Sequence, residues 1–325
     1  MSDAVAVVMV THNSAREVGS CLHALQARMQ DRTGAFAEAV VIDNASSDRT
    51  CEIVEAQASF AKLIRNDVNR GFAAAVNQGV RATTSPLLLM LNPDAVLEGG
   101  LGDLARAFDS PEVGAAGGKL VDPSGEWQRG FNVRAFPTPT ALALEVLMWN
   151  RVWPRNAVNR RYRMLDFDPR REQEVDQPAG AFLMFRREIW EKLEGLDEVF
   201  HPLWFEDVDF CLRIRQAGHS IRYIPVAVAH HAGAHSLRSA SVQFRQLAWY
   251  GSFLQFSEKH FPRRTHHLLR AVTALGLVLR WCACWGGAGD RNERKAYGSA
   301  LKMVMGSQAA QRAIANVGRR PIVES

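Results

Sequence analysis

Cysteine is scarce in this chain, with five among 325 residues and none in a CxxC pair. The odd, scattered set of Cys21, Cys51, Cys211, Cys282 and Cys284 gives neither a disulfide framework nor zinc-ribbon spacing, and it fits a reducing cytoplasm. Residues Met1 to Val10 lack a basic n-region and a long apolar run, so no secretory signal is read there. Internal repeats and low-complexity tracts are also missing. The first third contains neither GxGxxG nor GxxxxGK[ST], which argues against hydride transfer and ATP hydrolysis through those phosphate loops. An uninterrupted membrane span is lacking too. A bilayer takes about 20 consecutive apolar residues, whereas Arg270 and Arg280 break the Leu268–Trp285 run LLRAVTALGLVLRWCACW. That segment reads as a buried or interfacial helix.

What is present is a globular composition. Hydrophobic residues make up 47% and charged residues 22%, which supports a large core and excludes disordered, collagen-like and coiled-coil chains. The net charge of +5 is unevenly placed. From Glu258 onward 12 Lys/Arg stand against 4 Asp/Glu, while the first 257 residues hold 27 against 30. A basic C-terminal region suits anionic lipid, nucleic acid or solubility. No nucleic-acid motif accompanies it, so a nucleic-acid partner is not expected.

Strands and helices alternate in the first third. Ala4–Val10, Ala39–Ile42, Lys62–Arg65 and Leu87–Leu91 read as buried strands, separated by helical patterns near Val18–Leu25, Ile53–Val54 and Gly71–Arg81. Crossovers of about a dozen residues or more imply a parallel, doubly wound α/β sheet, whose ligands sit at the carboxyl ends of the strands. Thr11-His12-Asn13, Asp43-Asn44 and Asn92-Pro93-Asp94 converge on that rim. Further on, DPSG in Val121–Arg134 suggests a hairpin, and residues 137–171 look like an insertion or lid. A strand over Gly180–Arg186 and a helix over Phe205–Ala217 follow, the helix ending at Gly218. Ile221–Ile224 is read as a strand, with His230, His231 and His235 in a loop beyond Val226–Ala229. The chain is expected to divide into residues 1–236 and a basic helical region, 237–325.

Several residues can carry chemistry. Asp43 is placed to accept from a base or ribose hydroxyl, or else to close a turn. Asn69-Arg70-Gly71 opens a helix, so its N–H groups and Arg70 can face phosphate or simply cap. Asp94, delivered by a buried strand beside a rigid proline, suits a hard cation such as Mn²⁺ or Mg²⁺ completed by substrate phosphates. His231 or His235 is the candidate second ligand, and HHAGAH contains no HExxH zinc pattern. Glu206, Asp207 and Asp209 crowd the start of a helix beside Trp204 and Phe205, more acid than capping needs. A carboxylate in such a partly apolar setting can act as a general base.

Taken in order, VVMVTHNSA, VVIDNASSDRT, NRGFAAAVNQG, LLLMLNPDA, GAFLMFRR, FEDVDFCLRIRQAG and AHHAGAHS resemble family 2 glycosyltransferases of the GT-A fold. The likeness is to bacterial rhamnosyltransferases and covers roughly Val5 to Ser236. It implies a Rossmann-like, mostly parallel sheet with flanking helices, followed by a C-terminal helical region. By position it assigns Thr11, Asn13, Asp43, Asn69, Arg70, Gly71 and Asn77 to the nucleotide donor. Asn92-Pro93-Asp94 stands at the family's DXD motif, with Asn replacing the first acid. Asp94 and His231 would hold the metal, with His235 as second choice. Asp207 would be the base beside Glu206. Gly180, Ala181, Trp204, Trp127 and Arg129 would border sugar and acceptor, and Arg134 stands in the same segment. The implied reaction is inverting transfer of L-rhamnose from dTDP-rhamnose to a hydroxyl of a saccharide or polyprenyl-diphosphate-linked acceptor in cell-surface polysaccharide synthesis. The basic tail would then face the anionic inner leaflet. A nucleotidyltransferase would instead carry a Gly-rich basic loop where this chain has THNSA. A non-catalytic saccharide-binding scaffold would have no need of Asp43, Asp94 and Asp207 together.

Overall fold

A computed structural model describes residues 4–29, 36–233, 240–285 and 289–306. Its centre is β1 (Val5–Thr11), buried at every position. Alternation along this strand explains how the sheet is covered on both sides. Val5, Val7 and Met9 pack with Val18, Leu22 and Leu25 of α1 (Val18–Met29). Ala6, Val8 and Val10 pack on the other face with Ala73, Val76 and Val80 of α3 (Phe72–Arg81). Period-two side chains with both sets apolar demand a helix layer on each face.

Around β1 the strands are parallel. It pairs with β2 (Phe36–Asp43) and β4 (Leu87–Leu91), and β2 pairs with β3 (Lys62–Arg65) across the segment carrying α2 (Thr50–Gln57). Beyond β4 the sheet becomes mixed. After β5 (Ala95–Gly99) and α4 (Leu101–Arg106) come β6 (Val113–Val121), β7 (Val133–Arg134), short helices α5 (Pro139–Val146), α6 (Trp149–Val152) and α7 (Ala157–Tyr162), then β8 (Gln173–Glu174) and β9 (Gln177–Pro178). β10 (Phe182–Arg186) inserts antiparallel between β4 and β6, and leads through α8 (Arg187–Lys192) to α9 (Glu206–Gln216). The long β11 (Ser220–His231) runs parallel to β6 and antiparallel to β5, giving the order β3-β2-β1-β4-β10-β6-β11-β5 with β8 on β11.

Two expectations change here. His230 and His231 lie on β11, not in a loop, because β5 extends the ladder to them: His230 pairs with Val96 and His231 with Ala95. The DPSG turn forms, with Gly125 N–H donating to Asp122 O at 2.9 Å, but the hairpin shrinks to a single Val121–Trp127 bridge. Asn132 is the reason. Its buried amide takes N–H bonds from Leu120 and the Trp127 indole and donates to Gly118 O, folding the segment back onto β6.

The C-terminal helices α10 (Val242–His260), α11 (Arg263–Trp285) and α12 (Arg291–Val304) build a third core with α5, Phe200 and Phe205. Among the described residues α11 is the one helix long and apolar enough to cross a membrane by length and composition. Its packing is one-sided. Leu269, Thr273, Gly276 and Leu277 are buried, whereas Leu268 (65% exposed), Leu275, Leu279 and Trp285 (65%) face outward.

Gly276 brings α11 against the end of α5, where a Cβ would overlap the Val146 carbonyl. Gly298 on α12 has only ordinary contact, 3.6 Å to the Trp281 indole nitrogen. Gly276→Ala is therefore expected to destabilise by about 1–3 kcal/mol through overpacking. Gly298→Ala should stabilise by roughly 0.5–1 kcal/mol, because a helical glycine loses more entropy on folding. Denaturant unfolding of both variants checks this; the same sign for the two would contradict the packing described.

Candidate active site

A cleft of about 470 Å³ opens at the carboxyl ends of β1, β2 and β4 and extends under the C-terminal helices. Its rim at the ends of β1 and β2 is cross-braced by hydrogen bonds. Thr11 Oγ1 donates to Asp43 Oδ1 at 3.0 Å, and Ser46 donates from its N–H (2.9 Å) and hydroxyl. Asn13 Oδ1 accepts from Ser47 N–H at 2.8 Å. Asn44 is the connector: Oδ1 accepts from Arg70 N–H (2.9 Å), and Nδ2 donates to Asn69 Oδ1 (2.8 Å). Asn69 Oδ1 also accepts from Gly71 N–H at 2.9 Å. Gly71 has φ 85°, and a Cβ there would meet His201 Nδ1 at 2.6 Å, so glycine is required.

These contacts sort the sequence candidates. Asn69, Asn92, Asp94, Gly180, Ala181, Trp204, Glu206, Asp207 and His231 line the cleft. Thr11, Asn13 and Asp43 stand behind its wall and hold the loops that form it. Arg70 turns into a neighbouring groove with Arg263 and His267. Asn77 is removed from the cleft: its buried amide bonds Leu196 O, Glu198, the Trp190 indole and Leu196 N–H. Trp127 and Arg129 are also displaced. The half-buried Trp127 ring stacks on Phe167 at the edge of the core beneath α3, and Arg129 reaches Leu165 O. His235 lies outside the described residues. Sequence reasoning placed His12 and Asn44 on the rim without giving them a role, and it passed over Gln128 and Gln177, which carry no charge pattern to mark them.

The acids at the start of α9 occupy three different environments. Trp204 (φ 75°) and Phe205 (φ 71°) are both left-handed, a strain of about 1–3 kcal/mol each for non-glycine residues. Packing holds them there: Phe205 is buried against Phe256 (5.2 Å) and Trp249, and Ser252 Oγ donates to Leu203 O at 2.8 Å. This turn delivers Glu206 and Asp207 to the cleft. Asp207 Oδ2 accepts from Gly180 N–H (3.0 Å) and Gln177 Nε2 (3.4 Å), and Oδ1 accepts from Val208 N–H (2.8 Å). A Cβ at position 180 would lie 3.0 Å from Asp207 Cβ, so the small residue permits this approach. Burial raises the Asp207 pKa above the ordinary aspartate value, against the pull of these N–H groups and of Arg134. Glu206 is 6% exposed, and its Oε2 has no hydrogen-bond partner among the described residues. Burial, then the Asp207 charge, holds its carboxyl well above the usual range. Asp209 faces away from the cleft. Burial opposes its charge, but His260 (2.7 Å), Arg213 (2.7 Å) and Lys259 outweigh that and hold its carboxyl below the usual range.

On the opposite side, the β5–β11 register sets His231 Nε2 3.4 Å from Asp94 Oδ1, with His231 2% exposed. One carboxylate and one imidazole fit Mn²⁺ or Mg²⁺ when phosphate oxygens and water complete the shell. No cluster of three or more His, Cys, Asp or Glu able to hold a metal occurs among the described residues.

A GT-A-like sheet with acids on one side of a rim cleft and an Asp–His pair on the other defines a glycosyltransferase. The glycosyl transferase family 2 model matches residues 6–193, more than half of the chain, and the protein belongs to that family. Asp43 and Asp94 fall inside this span, and Asp207 and His231 lie beyond it. The chain is 26% identical over 251 residues to the N-acetylglucosaminyl-diphospho-decaprenol L-rhamnosyltransferase of Mycobacterium tuberculosis, covering 73% of this chain and 78% of that protein. It is 23% identical over 238 residues to the low-salt glycan biosynthesis hexosyltransferase Agl10 of Haloferax volcanii, covering 71% and 68%. In fold it is similar to the mannosyltransferase PcManGT of Pyrobaculum calidifontis, solved with GDP-Man and Mn²⁺ (TM-score 0.53, 20% identity, 98% of this chain and 80% of that one).

The Glu206 environment has a consequence for stability. Its folded pKa lies above the unfolded value, so the stability it contributes is full below the unfolded carboxylate range and is lost as pH rises through the folded pKa. Glu206→Gln should therefore raise the thermal midpoint near neutral pH, with the gain shrinking toward about pH 4. A midpoint below wild type at neutral pH, or a gain independent of pH, would contradict this assignment.

Proposed function

We propose that this glycosyltransferase inverts the donor sugar, using Asp207 as the base, and moves L-rhamnose from dTDP-rhamnose to a saccharide hydroxyl on a polyprenyl-diphosphate carrier. The observation that carries the chemistry is the placement of Asp207: a carboxylate of raised pKa, held by Gly180 and Val208 N–H groups, bordering the cleft. Asp207 takes the acceptor hydroxyl proton as the oxygen forms its bond to the anomeric carbon. The carbon–oxygen bond to the nucleoside diphosphate breaks on the opposite face, and the diphosphate leaves with the electron pair. Glu206 has the more strongly raised pKa of the two, which favours Asp207 as the ionised member of the pair. Asp94 and His231 would hold a divalent cation, which supplies charge stabilisation to the leaving diphosphate when bound. The rim built on Thr11, Asn13, Asp43 and Asn44 orients the nucleoside. The name of the mycobacterial relative supports the sugar and the carrier.

The same reading accounts for α11. Its outward face presents Leu268, Leu275, Leu279 and Trp285, while Arg263 and Arg264 open the helix. Apolar side chains flanked by cations suit an anionic bilayer surface, and the enzyme would meet its carrier at the inner face of the cytoplasmic membrane.

Three outcomes are expected. Asp207→Asn should lose about 10²–10⁴-fold in turnover with donor binding retained, as for a lost general base. Nucleoside diphosphate release from a panel of sugar nucleotides, with Mn²⁺, Mg²⁺ or EDTA, should favour dTDP-rhamnose and fall in Asp94→Ala. Near-wild-type turnover by Asp207→Asn would remove the base, and preference for another donor would remove rhamnose. Sedimentation with anionic vesicles should weaken with salt and in the double variant Leu275→Glu/Leu279→Glu. Equal binding by that variant would remove the membrane role.

A further inference from the structure

Between Trp127 and Arg129, neither of which reaches the cleft, lies Gln128. Its amide joins β11 by two bonds: Nε2 donates to the His231 carbonyl at 2.7 Å, and Oε1 stands 3.0 Å from His231 Nδ1. The chemistry of these atoms leaves one arrangement. A main-chain carbonyl only accepts, so the amide nitrogen must face it and the amide oxygen must face the ring. The amide oxygen also only accepts, so Nδ1 carries a proton. In the neutral ring Nε2 is then bare, and its lone pair faces Asp94 Oδ1 at 3.4 Å. Two electron-pair donors set face to face are matched by a cation or a proton between them. Phe131 stacks on the imidazole (5.3 Å between centroids, 11° between planes) and limits ring rotation.

We infer that Gln128 is a positioning residue: by fixing His231 in its Nδ1–H tautomer it sets the affinity of the Asp94–His231 pair for a divalent cation. This rests on the cation reading of that pair. Groups that orient a metal-binding imidazole are typically worth 10- to 100-fold in metal affinity. The glutamine acts without touching substrate. It couples the 121–134 segment, through one amide, to the chemistry on β11.

The test is Mn²⁺ binding to the full chain with nucleoside diphosphate present, read by electron paramagnetic resonance of free Mn²⁺. Gln128→Leu, which keeps the bulk and loses the acceptor, should bind Mn²⁺ roughly 10- to 100-fold more weakly. Gln128→Glu loses the donor to the His231 carbonyl but keeps an acceptor for Nδ1–H, and should retain most of the affinity. A loss as large as that of Gln128→Leu would show that the amide only ties two segments together, and would overturn the inference. So would unchanged binding by Gln128→Leu. Unchanged binding by His231→Ala would instead remove the cation reading itself. A measurement on the wild type does not depend on either Gln128 variant folding: ¹⁵N-histidine NMR of the metal-free protein, with His231 assigned by its loss in His231→Ala. The expected spectrum has Nδ1 protonated and Nε2 bare, and an Nε2–H tautomer would overturn the inference.

Discussion

The antiparallel pairing of β5 with β11 is the constraint on which the site depends. Asp94 ends the turn after β4, and His231 ends the last strand of the sheet, far away in sequence. The register that sets His231 opposite Ala95 places the two side chains together. A slip of one residue would turn His231 to the other face of the sheet and dissolve the pair. The inserted β10 does a similar service on the other side. Its pairing with β4 and the Asn92 N–H bond to Ala181 O (3.0 Å) bring Gly180 to the rim, where its N–H meets Asp207. The parallel half of the sheet makes the polar rim of Thr11, Asp43 and Asn44, while the mixed half assembles the acids and the imidazole.

Three carboxylates within four positions of α9 differ because each meets a different partner. Glu206 has burial and an oxygen unpartnered among the described residues, Asp207 has backbone N–H groups, and Asp209 has Arg213, Lys259 and His260. Two of those partners, Lys259 and His260, come from the end of α10. The C-terminal helices are thus tied to α9 around the buried Asp209 carboxylate, and removing the partners of such a group leaves an uncompensated charge. They also pack against Phe205 and so hold the left-handed turn that aims Glu206 and Asp207. A region that composition marks as a basic appendage is, in the folded chain, part of the support of the active site.

Local features of the sequence carried much of this. The apolar runs of β1, β2 and β4 announce a sheet buried on both faces, and polar clusters at their ends mark the rim. Asp94, Gly180, Glu206 and Asp207 stand out because charge or small size interrupts an apolar pattern, and the cleft contains all four. What spacing does not reveal is pairing between distant strands. His230 and His231 therefore read as loop, although β5 makes them strand. The same blindness misplaces Trp127 and Arg129. They are the conspicuous residues of their segment, but the Asn132 amide turns Trp127 onto the core and leaves the neutral Gln128 facing His231. Asn77 shows the converse case, a polar residue on a helix near the rim whose amide is wholly taken up in holding Leu196 and Trp190. In α11, a linear count of apolar residues merges two faces that the fold separates, one against Val146 and one open.

The ligand arithmetic of the Asp94–His231 pair has its own consequence for the order of binding. A hard divalent cation takes six or more ligands, and two side chains leave most of the shell to water and substrate. Asn92 stands, under the proposed function, at the first position of the family's DXD motif, so one negative charge fewer would face a cation bound there. Under the proposed function the diphosphate supplies both the missing oxygens and the missing charge. Cation and donor then strengthen each other's binding by the same factor, as linkage requires. A chain with this motif would hold its cation weakly alone and firmly with donor, and product release would loosen both together. Under the same proposal the tautomer of His231 would matter more than in a full cage, because a single imidazole lone pair would be half of what the Asp94–His231 pair contributes.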